Sequence, residues 1–202
     1  MLERLKKQTL EKTLPYILIV GGILGLFAAA TLTIEKIAVL EDPSHKLSCS
    51  INPVLSCGSV MLSKQASAFQ FPNPLIGIAA FAVVITIGAG LLAGAKYKRW
   101  FWLGLQAGTI FGVGFIHWLI YHSLYSIGAL CLYCMIVWVV VMPIFWYTLL
   151  YNLRQKYIKT PANLKAVIAF VQRHHGDILL SWYLIIIALI IHNFWYYWST
   201  LL

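Results

Sequence analysis

The sequence predicts an all-α polytopic membrane protein, a core bundle of four transmembrane helices with a fifth transmembrane helix beside it. Three observations carry this. The chain of 202 residues is 61% hydrophobic and 10% charged, where soluble domains carry about 25% charged residues. Five apolar segments each approach the ~20 residues that cross a hydrocarbon core. The basic residues fall between those segments and alternate from one side to the other. Such a chain would expose large apolar patches in water.

The first span covers residues 14–34, after Arg4, Lys6, Lys7 and Lys12. Its apolar stretch has the length of a span rather than of the shorter core of a cleavable leader. An outer loop, 35–73, leads to the second span, 74–95. Lys96, Lys98 and Arg99 separate this from the third, 100–123. A short uncharged turn precedes the fourth, 130–151. Arg154, Lys156, Lys159, Lys165 and Arg173 precede the fifth, 178–198. Twelve of the 15 basic residues thus share one side, and only Lys36, Lys46 and Lys64 fall on the other. The positive-inside rule makes the N-terminus cytoplasmic and puts the C-terminus and the 35–73 loop outside. The net charge of +9 therefore reads as membrane topology, not as nucleic-acid binding. Glycines four apart, Gly21/Gly25, Gly90/Gly94 and Gly104/Gly108/Gly112, are expected to let helices approach closely.

All four cysteines lie at the outer face, in a compartment that permits disulfides. Cys131-Leu-Tyr-Cys134 is a CxxC at the start of the fourth span, and alone it fits either redox chemistry or metal binding. On a helix these two residues share a face. Cys131 is expected near the aqueous surface and Cys134 deeper in the bundle, with the helix N-terminus favouring a thiolate. Cys49 and Cys57 have seven residues between them, and Asn52-Pro53 favours a turn that brings their sulfurs together. A mobile loop pair beside an embedded pair makes a relay by thiol–disulfide exchange. The segment after Cys57, with Val60, Met61, Leu62, Ala66 and Phe69 among polar residues, suits a short amphipathic lid. Two structural disulfides, or a metal site that uses the four thiolates in binding or transport, would use the same cysteines.

The stretches Cys49-Ser-Ile-Asn-Pro-Val-Leu-Ser-Cys57-Gly-Ser-Val, Phe71-Pro-Asn73-Pro-Leu-Ile-Gly77 and Ala129-Leu-Cys131-Leu-Tyr-Cys134 resemble the vitamin K epoxide reductase (VKOR) family. They look most like its bacterial disulfide-forming members. The likeness runs over roughly residues 14–151, inside one integral membrane domain covering 1–202. The DsbB family places its CxxC in the first outer loop, an order that does not match.

The resemblance implies a quinone-dependent protein-thiol oxidoreductase in a bacterial inner (plasma) membrane. Electrons would pass from Cys49 to Cys57 to Cys131 to Cys134 and then to a quinone of the ubiquinone, menaquinone or vitamin K type. Some members carry a fused thioredoxin-like domain. None follows the fifth span here, so the implied partner is a separate DsbA-like thioredoxin-fold protein. Ser50 stands where the family often has an acidic residue. Trp138 stands where the vitamin K-cycling animal enzymes have tyrosine, which favours plain quinone reduction over epoxide reduction.

Three further residues are candidates for the quinone pocket. Asn73 precedes Pro74 and suits an N-cap; the resemblance adds a hydrogen bond to a quinone carbonyl. Trp138 shares the helix face of Cys131 and Cys134, where it could line a ring slot or simply pack. His117 is an intramembrane ionisable group that could give a proton to the reduced quinone or make an interhelical hydrogen bond. Ser63 is a candidate for holding the lid.

Overall fold

The structure, a computed structural model, describes residues 2–42, 45, 47 and 49–199. It is helical almost throughout. Helix α1 runs from Leu2 to Glu41. The short α2, Cys57–Met61, and a 3-10 turn, Lys64–Ser67, follow in the loop after α1. Then come α3, Asn73–Leu92, and α4, Arg99–His122, which ends in a π-helical turn, Ser123–Ile127. Helix α5 spans Leu132–Arg154. The amphipathic α6, Lys165–Arg173, leads to α7, His175–Asn193, and the single turn α8, Trp195–Trp198.

Five of these helices, α1, α3, α4, α5 and α7, are long and apolar enough to cross a membrane. An α-helix satisfies its own backbone hydrogen bonds, which a lipid environment demands. The expected spans appear with shifted ends. Helix α1 continues to Glu41, so residues 35–41, expected in the loop, are helical. Helix α3 stops at Leu92, and Gly94 turns the chain with φ +86°. Helix α7 begins at His175 and ends at Asn193. Lys46, used in the charge pattern, lies outside the described residues.

Helix α1 is the axis of the bundle. It packs along α3 on one side and α5 on the other, and α4 packs along α5. Two of the spaced glycines explain the closeness. A Cβ on Gly25 would run into the Phe81 ring of α3, and one on Gly21 would stand 3.1 Å from Ile144 of α5. In the third glycine row only Gly112 meets another helix, its Cβ position 3.6 Å from Val141 of α5, and the other two depart from the expected role. Nothing lies within 4 Å of the Cβ positions of Gly104 or Gly108, because α3 and α4 do not pack side by side. These glycines face a gap between helices rather than a helix.

Helix α7 is peripheral. It is tied on by hydrogen bonds from Trp182 to His117, from Tyr183 to the Val139 carbonyl and from Asn193 to the Leu124 carbonyl.

Candidate active site

The loop between α1 and α3 builds the site from a tight turn. The Asn52 side-chain carbonyl accepts from the amides of Val54 at 3.0 Å and Leu55 at 2.7 Å, an Asx turn. The Ile51 amide closes it onto the Leu55 carbonyl at 2.9 Å. Cys49 and Cys57 come to a Cα–Cα distance of 5.6 Å and are joined as a disulfide. Ser56 caps α2 through the Ser59 amide, which leaves Cys57 at the first position of that helix.

The loop is docked onto the start of α5. The Leu130 amide donates to the Val54 carbonyl at 2.7 Å, and the Ser56 amide donates to the Leu130 carbonyl at 3.0 Å. Val54, wholly buried, packs in a cluster with Ile116, Leu124, Leu130, Trp138 and Met142. Leu130 immediately precedes the CxxC, so these bonds set one cysteine pair against the other.

The result is a compact sulfur cluster. The Sγ atoms of Cys49, Cys57 and Cys131 all lie within 4.8 Å of one another. Cys131 and Cys134 are free thiols. Cys131 is buried rather than near the aqueous surface, because the docked loop covers it with Cys49, Cys57, Val60 and Met61. It occupies the N-cap of α5, and Cys134 lies in the first turn. The Cys131 thiol is held below its ordinary pKa range. Hydrogen bonding from the Cys134 side chain is the main cause, helped by the backbone amides of Cys134 and Tyr133, while burial pulls the other way. A thiolate there is the nucleophile that disulfide exchange requires.

Two clamps hold the lid that follows Cys57. From α1, the Lys36 ammonium donates to the Ser67 hydroxyl at 3.0 Å and the Met61 carbonyl at 3.4 Å. From α3, the Asn73 amide group donates to the Gln65 carbonyl at 2.7 Å, and its oxygen accepts from the Ala68 amide at 3.0 Å. Asn73 is therefore not the expected N-cap; its side chain reaches back to the lid, and Pro72 holds the cap position without a side-chain bond. Ser63 donates to the Val60 carbonyl within the lid. Sequence reasoning counted Lys36 only as a topology charge, because it ended the helix at residue 34. With the helix continued, Lys36 stands one turn beyond Leu32 on the same face, and Leu32 belongs to the sulfur cluster.

Beneath the lid, the gap between α3 and α4 is a cavity of about 710 Å³. Cys131, Cys134, Asn73 and Trp138 line its end beneath the lid, and Gly108, Gly104 and Trp100 carry its wall to the opposite end of α4. Trp138 is buried there and also packs with Val54. His117 does not line the cavity. Its Nε2 accepts from the Trp182 indole at 2.9 Å, so its Nδ1 carries the proton given to the Val113 carbonyl at 2.8 Å. The ring is held in this tautomer on the α7 side of α4, so the structure does not bring it to the other candidate residues.

A docked disulfide against a buried dithiol, inside a bundle of membrane-spanning helices, is the working arrangement of a multi-pass membrane thiol oxidoreductase. The chain belongs to the vitamin K epoxide reductase family, whose model matches residues 16–149. The matched region ends within α5, so α6, α7 and α8 lie beyond it. Among curated proteins, none matches the chain.

Proposed function

We propose that the protein reoxidises a DsbA-like thioredoxin-fold protein and passes the electrons through its two cysteine pairs to a quinone, supporting disulfide bond formation. The carrying observation is that the Cys131 sulfur lies within 4.8 Å of both sulfurs of the Cys49–Cys57 disulfide, while Cys131 and Cys134 open onto an apolar cavity. The setting is a bacterial inner membrane, with the N-terminus cytoplasmic and the cysteines and C-terminus outside, as the charge alternation implies. The whole chain acts as one membrane domain.

The electrons balance in three exchanges. The partner's two thiols reduce the Cys49–Cys57 disulfide through Cys49 and leave as a disulfide. Cys57 then reduces a Cys131–Cys134 disulfide through Cys131, which restores Cys49–Cys57. The Cys131/Cys134 dithiol gives two electrons and two protons to the quinone, forming quinol and closing the inner disulfide. The loop pair oxidised with the inner pair reduced is the state that precedes the last exchange.

The cavity fits a quinone in shape and chemistry. Its walls are almost wholly apolar, as a prenyl chain requires, and its polar groups gather at the thiol end. Asn73 and Trp138 would hold the head group there. Asn73 uses one amide hydrogen on Gln65 and has a second for a carbonyl. The quinone accepts the electron pair; the protein orients it and keeps water out with the lid.

The test is thiol oxidation by the purified protein with a reduced DsbA-like partner and a panel of quinones. Quinone-dependent turnover that needs all four cysteines is the expected result. Full turnover by Cys134→Ser would sink the mechanism.

The clustering of three cysteine sulfurs within 4.8 Å also supports a second reading, in which the cysteines bind or transport a metal ion. A closed Cys49–Cys57 disulfide removes two thiolate ligands from such a site. Stoichiometric zinc or copper in reduced, purified protein would favour that reading.

A further inference from the structure

The end of the bundle opposite the cysteines carries a feature that the redox relay does not use. Helix α6 connects the redox bundle to α7, and its apolar side is only partly used by the protein. Val171 packs against the Leu10, Trp146 and Leu150 cluster. Leu164, Val167 and Phe170, at three-residue spacing and hence along neighbouring positions of the helix surface, stay exposed. The junction of α6 and α7 is fixed to the bundle by the Trp146 indole, which donates to the His175 carbonyl at 2.9 Å. So α6 is held in place with an apolar stripe that no described residue covers.

From Phe170 a groove of about 490 Å³ runs onto α7, past His174 and Asp177 to Ile178, Trp182 and Ile185. His174 and Asp177 lie toward the start of α7, and the rest of the groove's lining is apolar except for Ser181. Along a membrane-spanning helix that gradient runs from the interface into the hydrocarbon. The surroundings of the mouth are basic. Residues 154–177 contain Arg154, Lys156, Lys159, Lys165 and Arg173 but one acid, Asp177. That acid is paired with His174 at 3.0 Å. Arg173 lies three residues beyond Phe170, adjoining it on the helix surface, and Lys165 lies on the same helix.

We infer that α6 and the groove beside it form a binding site for an anionic glycerophospholipid. Phe170, Val167 and Leu164 seat α6 in the interface, as basic amphipathic helices do. Arg173 and Lys165 face the headgroup phosphate, and one acyl chain lies along Ile178, Trp182 and Ile185. Charge complementarity selects this occupant: a zwitterionic lipid offers the same chains without the net negative charge. The site is independent of the redox reading, and its test does not use turnover.

The experiment is native mass spectrometry of the delipidated full chain, given phosphatidylglycerol or phosphatidylcholine with the same acyl chains. Phosphatidylglycerol adducts are expected to survive at several-fold higher abundance. Basic residues near an anionic surface contribute about fivefold each, so Lys165→Gln with Arg173→Gln should remove most of that preference. A second readout covers the case in which the double variant fails to fold. Phosphatidylglycerol with brominated chains should quench tryptophan fluorescence in the native protein, and Trp182→Phe should lose part of that quenching. Equal retention of the two lipids by the native chain would overturn the inference. So would unchanged preference in the folded double variant, quenching untouched by Trp182→Phe, or a dimer whose interface covers this face.

Discussion

Leu130 and Val54 share a 2.7 Å backbone hydrogen bond, and that bond joins the loop after α1 to the residue immediately before the CxxC. The reciprocal bond from Ser56 to Leu130 makes the junction two-sided. Backbone bonds of this kind hold register without depending on side chains. The position of Cys131 beneath the Cys49–Cys57 disulfide thus follows from main-chain pairing.

The closeness of the three sulfurs leads to a trapping result. In Cys134→Ala, the Cys131 thiolate can attack the loop disulfide at Cys57, only the released Cys49 can reverse the exchange, and alkylation of Cys49 traps the product. A mixed disulfide of Cys131 with Cys57 should accumulate, releasing Cys49 as a thiol. Peptide mapping under non-reducing conditions reads it, and a Cys131 found only as a free thiol would contradict the relay.

The lowered pKa of Cys131 has a defined sign. A depressed value means that the thiolate persists to lower pH. The pH profile of Cys131 alkylation in the Cys57→Ala variant should turn over below the ordinary thiol value. Replacing Cys134 as well removes the leading cause of the shift, so the inflection should move up. An inflection that stays in place would show that the Cys134 hydrogen bond is not the cause.

Two glycine substitutions separate the cavity from the packed core. Gly25→Leu drives a side chain into Phe81 and should cost at least about 1–3 kcal/mol, the usual range for overpacking, seen as a lower melting temperature. At Gly108 a Cβ meets no atom within 4 Å and the position faces the cavity, so Gly108→Leu should melt like the native protein. It narrows the slot, so the KM for a long-chain quinone should rise several-fold. An unchanged KM would argue against the cavity as the quinone site.

The lid clamps are testable without turnover. Lys36→Met removes two hydrogen bonds, each contributing about 0.5–1.5 kcal/mol. Hydrogen exchange over residues 60–68 should accelerate about tenfold, with the transmembrane helices unaffected. Asn73→Ala should do the same from the other side.

His117→Leu should loosen α7 by about 1 kcal/mol, through the lost Trp182 bond, and leave quinone-dependent turnover near the native rate. A collapse of turnover in the folded variant would return His117 to the site.

The bundle was legible because its signals are local in the chain. Twenty apolar residues span a membrane whatever they touch, and the basic residues between them mark a side. The cysteine spacings and the Asn52-Pro53 turn are equally local, and both appear in the site. The C-terminal end of α1 was not legible, since Ile34 to Glu41 mixes apolar and charged residues and no longer reads as a membrane span, although the helix continues through it. Missing that extension hid Lys36.

The sequence by itself determined that this is a membrane bundle with two cysteine pairs at one end, because hydrophobicity and covalent spacing are properties of the chain alone. Only the tertiary structure decided which glycines pack and which line a cavity, and that Asn73 reaches back to the lid. It also decided that His117 belongs to α7 and that Cys131 is buried beneath a docked loop. Each of these depends on which surface stands opposite a residue, and periodicity gives the face a residue occupies but not the neighbour it meets.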